Sequence, residues 1–313
     1  MHHLTHRTFW IGLSLSIMFS ACLTTCLFAQ QRAKATADQE SRMLGMIVGA
    51  VEDLYGGFLG EARGRFQRIM SELEKRDYSA QLRWMAYDEF GKFLLKTGDA
   101  KGAIKALSRS QEEARGLTAR EMAKSTFDLA FVYAQTGDTA AAINEYKAAL
   151  ALDPQNYDVM LELGSMYRRA KLFKEARELY ERIIAGNPKY AEAYGNLGNV
   201  YVDQGDIESA VVNYEKFAFL SANKDLAAQN FLNAGFEYAA RGEYEKALPL
   251  YLRALELTPA NPLAYADIGW SKLKLGKTQE SIDAFEKALK LKPTKQVQEY
   301  ARKGLEEARA RKR

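Results

Sequence analysis

The chain is 313 residues long, 47% apolar and 27% charged, with six prolines. Those figures exclude collagen-like and wholly disordered classes and leave room for two average domains or one long repeat array. Its 44 basic and 40 acidic residues give a formal charge of +4, too small and too evenly mixed to imply nucleic acid binding.

The first 29 residues read as an address. Arg7 is the sole formal charge before Arg32, and between them runs WIGLSLSIMFSACLTTCLFA. A short basic start, an apolar stretch and a small residue ahead of polar sequence make a secretory signal peptide, with cleavage expected after Ala29 and a mature start at Gln30. Two alternatives stay open. The stretch is long enough to span a bilayer as an uncleaved anchor. Phe19-Ser20-Ala21-Cys22 is similar to a bacterial lipobox, with Cys22 as the lipidated residue and Phe19 where Leu is usual. All three readings export the body of the chain to the periplasm or cell envelope. Membrane contact is then expected through this segment alone, if it is uncleaved or lipidated.

The same segment holds every histidine (His2, His3, His6) and both cysteines (Cys22, Cys26). Without it the chain lacks the commonest general base, the thiolate nucleophile and the usual zinc ligands. No catalytic residue, cofactor or metal site is expected. A hydrolase built on Ser or Lys is the enzymatic alternative.

Residues 30–42 read as a linker. Residues 43–83 read as a divergent helical unit, in which Gly56, Gly60 and Gly64 are expected to serve close helix packing. From there one pattern repeats. Pro154 and Pro188 are 34 residues apart, as are Pro259 and Pro293, each after an apolar run such as ERIIAGNP. Small residues recur at Gly91, Ala130, Gly164, Gly198, Gly235 and Gly269, and again at Ala103, Ala142, Ala176, Ala210, Ala247 and Ser281. Large ones follow at Leu107, Tyr146, Tyr180, Tyr214, Tyr251 and Phe285. TGD at 97–99 and 136–138 and QGD at 204–206 place a glycine for a left-handed helix stop, then an aspartate to cap the next helix. Lys171 stands where that glycine is expected, so its turn should be strained or differently shaped.

These residues resemble the tetratricopeptide repeat family, whose unit is a helix–turn–helix of 34 residues. The resemblance implies an all-α, right-handed superhelical solenoid with units at 84–122, 123–156, 157–190, 191–227, 228–261 and 262–295. A polar helix over 296–313 should cap the last hydrophobic face. Gly276-Lys277-Thr278 then falls in a turn between repeat helices. Ser271 stands where a phosphate-binding loop needs glycine, so no nucleotide site is expected there.

The resemblance also implies a ligand surface on the inner face, built from the first helix of each unit. Asn196, Asn199, Asn233, Phe236 and Trp270 fall at its inner-face positions, flanked by Glu162 and Asp267. An asparagine amide both donates to and accepts from a peptide group, and aromatic rings anchor apolar side chains. The clamp with which cochaperone members hold a C-terminal carboxylate needs basic partners. Gly195, Leu263 and Asp267 stand in their places, so that activity is not expected. The expected function is a non-enzymatic adaptor binding an extended segment or helix of another envelope protein in the concave groove. Self-assembly into a homo-oligomer is the structural alternative.

Overall fold

A computed structural model describes residues 34–312. The expectations that fall on residues 1–33 therefore lie outside the described residues: the leader, its cut after Ala29, the start at Gln30 and the lipidation at Cys22. The described residues form fifteen helices, and their one β feature is an isolated bridge between Lys34 and Asp77. None of the helices is long and apolar enough to cross a membrane.

The chain divides into two compact units, one ending at Pro154 and the other beginning at Gln155. The first holds α1 (Ala37–Gly56), α2 (Leu59–Lys75), α3 (Ala80–Lys96), α4 (Ala100–Ala114), α5 (Ala119–Thr136) and α6 (Thr139–Leu152). The second holds α7 (Tyr157–Arg169), α8 (Phe173–Gly186), α9 (Ala191–Gln204), α10 (Ile207–Leu220), α11 (Lys224–Ala240) and α12 (Tyr244–Leu257). It continues through α13 (Pro262–Lys274), α14 (Thr278–Lys290) and α15 (Lys295–Lys312). Within each unit, helices joined by short turns pack as hairpins, and each hairpin stacks on the next. The class is an all-α solenoid of helix–turn–helix repeats.

The turns form as their residues dictate. Gly98, Gly137 and Gly205 stop their helices with φ between +81° and +87°. Asp99, Asp138 and Asp206 then accept hydrogen bonds from the backbone N–H of Gly102, Ala141 and Ser209 and so cap the following helices. Lys171 takes the same left-handed conformation with φ 59°, which strains a residue bearing a Cβ. The turn keeps its shape and stores the strain. Gly276, at φ +76°, is likewise a turn between α13 and α14.

The hairpins close by one recurring contact. A Cβ added at Gly198 would stand 2.4 Å from Cε1 of Tyr214 on the facing helix, so only hydrogen fits. The glycine therefore faces the large residue of its own repeat, with the small Ala210 buried on the same helix α10. Gly164, Gly235 and Gly269 meet Tyr180, Tyr251 and Phe285 in the same way. These rings are fully buried and form the repeating core.

The first hairpin departs from expectation twice. Helix α1 begins at Ala37, inside the stretch read as linker, because Thr36 and Gln39 form a reciprocal capping box. Gly60 and Gly64 face open space and bring no helix close. The close approach lies at Gly49, whose missing side chain admits the Arg65 guanidinium. Arg65 pairs with Asp53 at 2.6 Å across the hairpin. At the other end α15 docks on α13 and α14. Its Ala301, Gly304, Leu305 and Ala308 are buried, and Gly304 lies against the Phe285 ring.

Candidate functional site

In the second unit, the first helices of three successive repeats converge. Helices α11, α13 and α15 open a cleft of about 450 Å³. Leu232 and Phe236 from α11, Leu263 from α13 and Val297 from α15 line it with apolar surface. Gln229, Asn233 and Gln296 add amides at its edge, and Asp267 and Tyr300 add one carboxyl and one phenol. Phe236 is 61% exposed, a large cost in water that a docked apolar group removes.

The five inner-face residues occupy three settings. Asn233 and Phe236 line the cleft. Asn233 Oδ1 accepts from Gln229 Nε2 at 2.8 Å, which leaves its NH₂ to donate. Asn196 and Asn199 lie on α9, outside the cleft lining. Asn199 Oδ1 accepts from the Tyr214 hydroxyl at 2.8 Å, so it too offers NH₂ outward, toward an acceptor such as a peptide carbonyl. Trp270 stands behind the cleft. Its ring lies edge-on to Phe285 and 5.7 Å from the Tyr300 ring, and its buried Nε1–H has no hydrogen-bond partner among the described residues. It supports Tyr300 and does not itself line the cleft.

Asp267 dominates the electrostatics. Burial pushes its carboxyl up to about 7, against which a hydrogen bond donated by the Tyr300 hydroxyl at 3.2 Å works in the other direction. Among the described residues it makes no ion pair. Tyr300, Gln296 and Val297 escaped the sequence reading, because 296–313 was read only as a cap. Placed in repeat register, that helix is the first helix of one more unit, and its inner face continues the groove.

The inner-face positions of the first unit carry charge. Asp88 and Lys92 on α3 face Lys124 and Asp128 on α5. Lys92 Nζ donates to Asp88 Oδ2 at 2.8 Å and lies 3.3 Å from Asp128 Oδ2, and Lys124 donates to Asp88 as well. Asp88 is buried. Although burial opposes its charge, the two lysines hold its carboxyl below the ordinary range. Burial and the neighbouring Asp88 charge push Asp128 up to about 6. Lys124 also lies 5.3 Å from the Trp84 ring, whose Nε1–H donates to Ser125 Oγ. The signal was present, since Asp88, Lys92, Lys124 and Asp128 fall at inner-face positions of adjacent repeats.

A stack of helical hairpins with small-to-aromatic closures is a repeat scaffold that presents side chains along its inner face. Models of the tetratricopeptide repeat match residues 127–191, 179–212 and 263–295, and one described as TPR repeat matches 235–276. The chain belongs to the tetratricopeptide repeat family.

Among curated proteins, the Photosystem I assembly protein Ycf3 of Prochlorococcus marinus is 32% identical over 112 residues, 34% of this chain and 65% of that protein. The general transcriptional corepressor ssn6 of Schizosaccharomyces pombe is 28% identical over 123 residues, which are 39% of this chain and 11% of that protein. The chain thus spans a small part of such larger relatives. A crystal structure of a tetratricopeptide repeat protein from Parabacteroides merdae aligns with TM-score 0.58 at 16% identity, over 85% of this chain and 98% of that one. At that identity the likeness concerns the fold.

Proposed function

We propose that the protein is a non-enzymatic adaptor that binds a segment of a partner protein along the inner face of α9, α11, α13 and α15. The carrying observation is the cleft itself: exposed Phe236 and three further apolar side chains beside outward-facing amides. Apolar walls supply affinity, and amide groups fix a peptide backbone. Family membership supports a scaffold role, in which shape and hydrogen bonding do the work that reactive groups do in an enzyme. The leader read in residues 1–29 supports an envelope protein as that partner.

Self-association is the competing reading. It draws on apolar side chains exposed on the second helices, namely Phe219 at 85% and Val212 at 64% on α10 and Leu252 on α12. Site-specific photocrosslinking in cells separates the two. A benzophenone side chain at Phe236 should capture a different protein, and the same group at Phe219 should not. Capture of a second copy of this chain from Phe219, with none from Phe236, would establish self-assembly instead.

A further inference from the structure

We infer that the α11–α13–α15 cleft selects a partner segment bearing a basic side chain, Lys or Arg, next to an apolar one, with the cation seated on Asp267 and the apolar group against Phe236. The inference rests on the adaptor reading above and names the chemistry of its ligand.

Three observations carry it. The cleft, at about 450 Å³, falls in the range of about 300–1,000 Å³ typical of sites that enclose a ligand group. Its wall is apolar at Leu232, Phe236, Leu263 and Val297. Its one acidic group is Asp267, which has a single neutral partner, the Tyr300 hydroxyl on Oδ1, and whose Oδ2 makes no hydrogen bond among the described residues.

A carboxylate in apolar surroundings with no cation beside it is held at a cost. A neutral or acidic segment entering the cleft would strip water from the ionised Asp267 and give nothing back. A basic side chain returns a charge-assisted hydrogen bond to the free oxygen and offsets the desolvation. The same carboxyl thus attracts one class of segment and repels the others, which is how specificity arises.

The charge state follows. The titratable groups facing Asp267 are the phenols of Tyr300 on α15 and Tyr251 on α12, both pushed up by burial and so neutral. Helix α11 faces the cleft with uncharged Gln229, Leu232, Asn233 and Phe236, and among the described residues no lysine or arginine acts on Asp267. The empty site therefore holds a proton near neutrality, and a basic side chain displaces it. Binding should strengthen as pH rises through about 7.

The test is selection of a random phage-displayed peptide library on the full chain at about pH 8, beside the Asp267→Asn and Phe236→Ala variants. Asparagine matches the shape of aspartate and removes a half-buried charge, so that variant folds. Enriched peptides should pair Lys or Arg with an apolar residue. They should bind Asp267→Asn about tenfold or more weakly, the scale of one charge-assisted bond, and should weaken similarly on the wild type near pH 5.5. Enriched peptides without a basic residue, or with equal affinity for Asp267→Asn, overturn this inference and leave the groove standing. Peptides whose binding is lost on acetylating their N-terminal amine replace the side chain by a chain terminus and also overturn it. Peptides that bind Phe236→Ala as well as wild type, or no enrichment at all, overturn the groove reading with it.

Discussion

Gly198→Ala places the smallest possible side chain at the tightest point of a repeat. The added Cβ would stand 2.4 Å from Cε1 and 2.7 Å from Cδ1 of Tyr214, contacts that no real Cβ makes. The ring cannot simply retreat. Tyr214 is fully buried, packs edge-on to Phe231 at 6.1 Å and donates its hydroxyl to Asn199. Overpacking of this kind costs about 1–3 kcal/mol, and a strained or broken Tyr214–Asn199 bond adds about 0.5–1.5 kcal/mol. Removing a helix-interior glycine returns about 0.5–1 kcal/mol, so the expected net loss is about 0.5–4 kcal/mol, read as a lower urea midpoint by circular dichroism. Gly64→Ala is the matched control. Its Cβ meets nothing within 4 Å in the interior of α2, so replacing glycine should stabilise by about 0.5–1 kcal/mol. An unchanged midpoint for Gly198→Ala, or equal losses for both variants, would refute the closure of the hairpins by these glycine–tyrosine pairs.

Lys171→Gly relieves a left-handed residue at φ 59°, and should stabilise by about 0.5–1 kcal/mol in the same assay once the flexibility of glycine is set against the relief; a loss of stability would show that the turn is unstrained. Asp267→Asn tests the half-buried carboxyl, which binds its proton more tightly folded than unfolded. That proton stabilises the fold at low pH, and the contribution is lost as pH rises from about 3.8 to about 7. At ~1.36 kcal/mol per pH unit the variant should gain on the order of 4 kcal/mol over wild type near pH 8 and nothing near pH 4, and parallel pH profiles would contradict the assignment. Exported protein should begin at Gln30 on N-terminal sequencing, whereas a lipidated Cys22 or an intact Met1 would select one of the other two readings of the leader.

The repeat was legible because its closures depend on local residue pairs. Gly198 and Tyr214 sit sixteen residues apart in one hairpin, and the same pair returns at Gly235–Tyr251 and Gly269–Phe285. The aspartate caps were legible for the same reason. The start of α1 was also written in the chain, since Thr36 and Gln39 have the spacing of a capping box. What escaped depends on contacts between repeats. Trp270 falls at an inner-face position, yet the docking of α15 places Tyr300 over its ring. Asp267 reads as one more polar inner-face residue, and the docking of α15 sets the Tyr300 hydroxyl on it. The Asp88–Lys92–Lys124–Asp128 cluster is likewise a property of two neighbouring helices, and neither shows it alone.

The central claim, that the inner face of the second unit binds a partner segment, meets its most direct test in a titration. A selected peptide or crosslinked partner segment, labelled for fluorescence anisotropy, is titrated with wild type, with the Asn196→Ala/Asn233→Ala double variant and with Phe236→Ala. Removing two amides should weaken binding by about 1–3 kcal/mol, at about 0.5–1.5 kcal/mol per net hydrogen bond. Removing an exposed aromatic anchor should cost at least 1 kcal/mol, roughly fivefold. Helicity should stay unchanged in both. Equal affinities for all three proteins would place the binding site elsewhere and end the inner-face account.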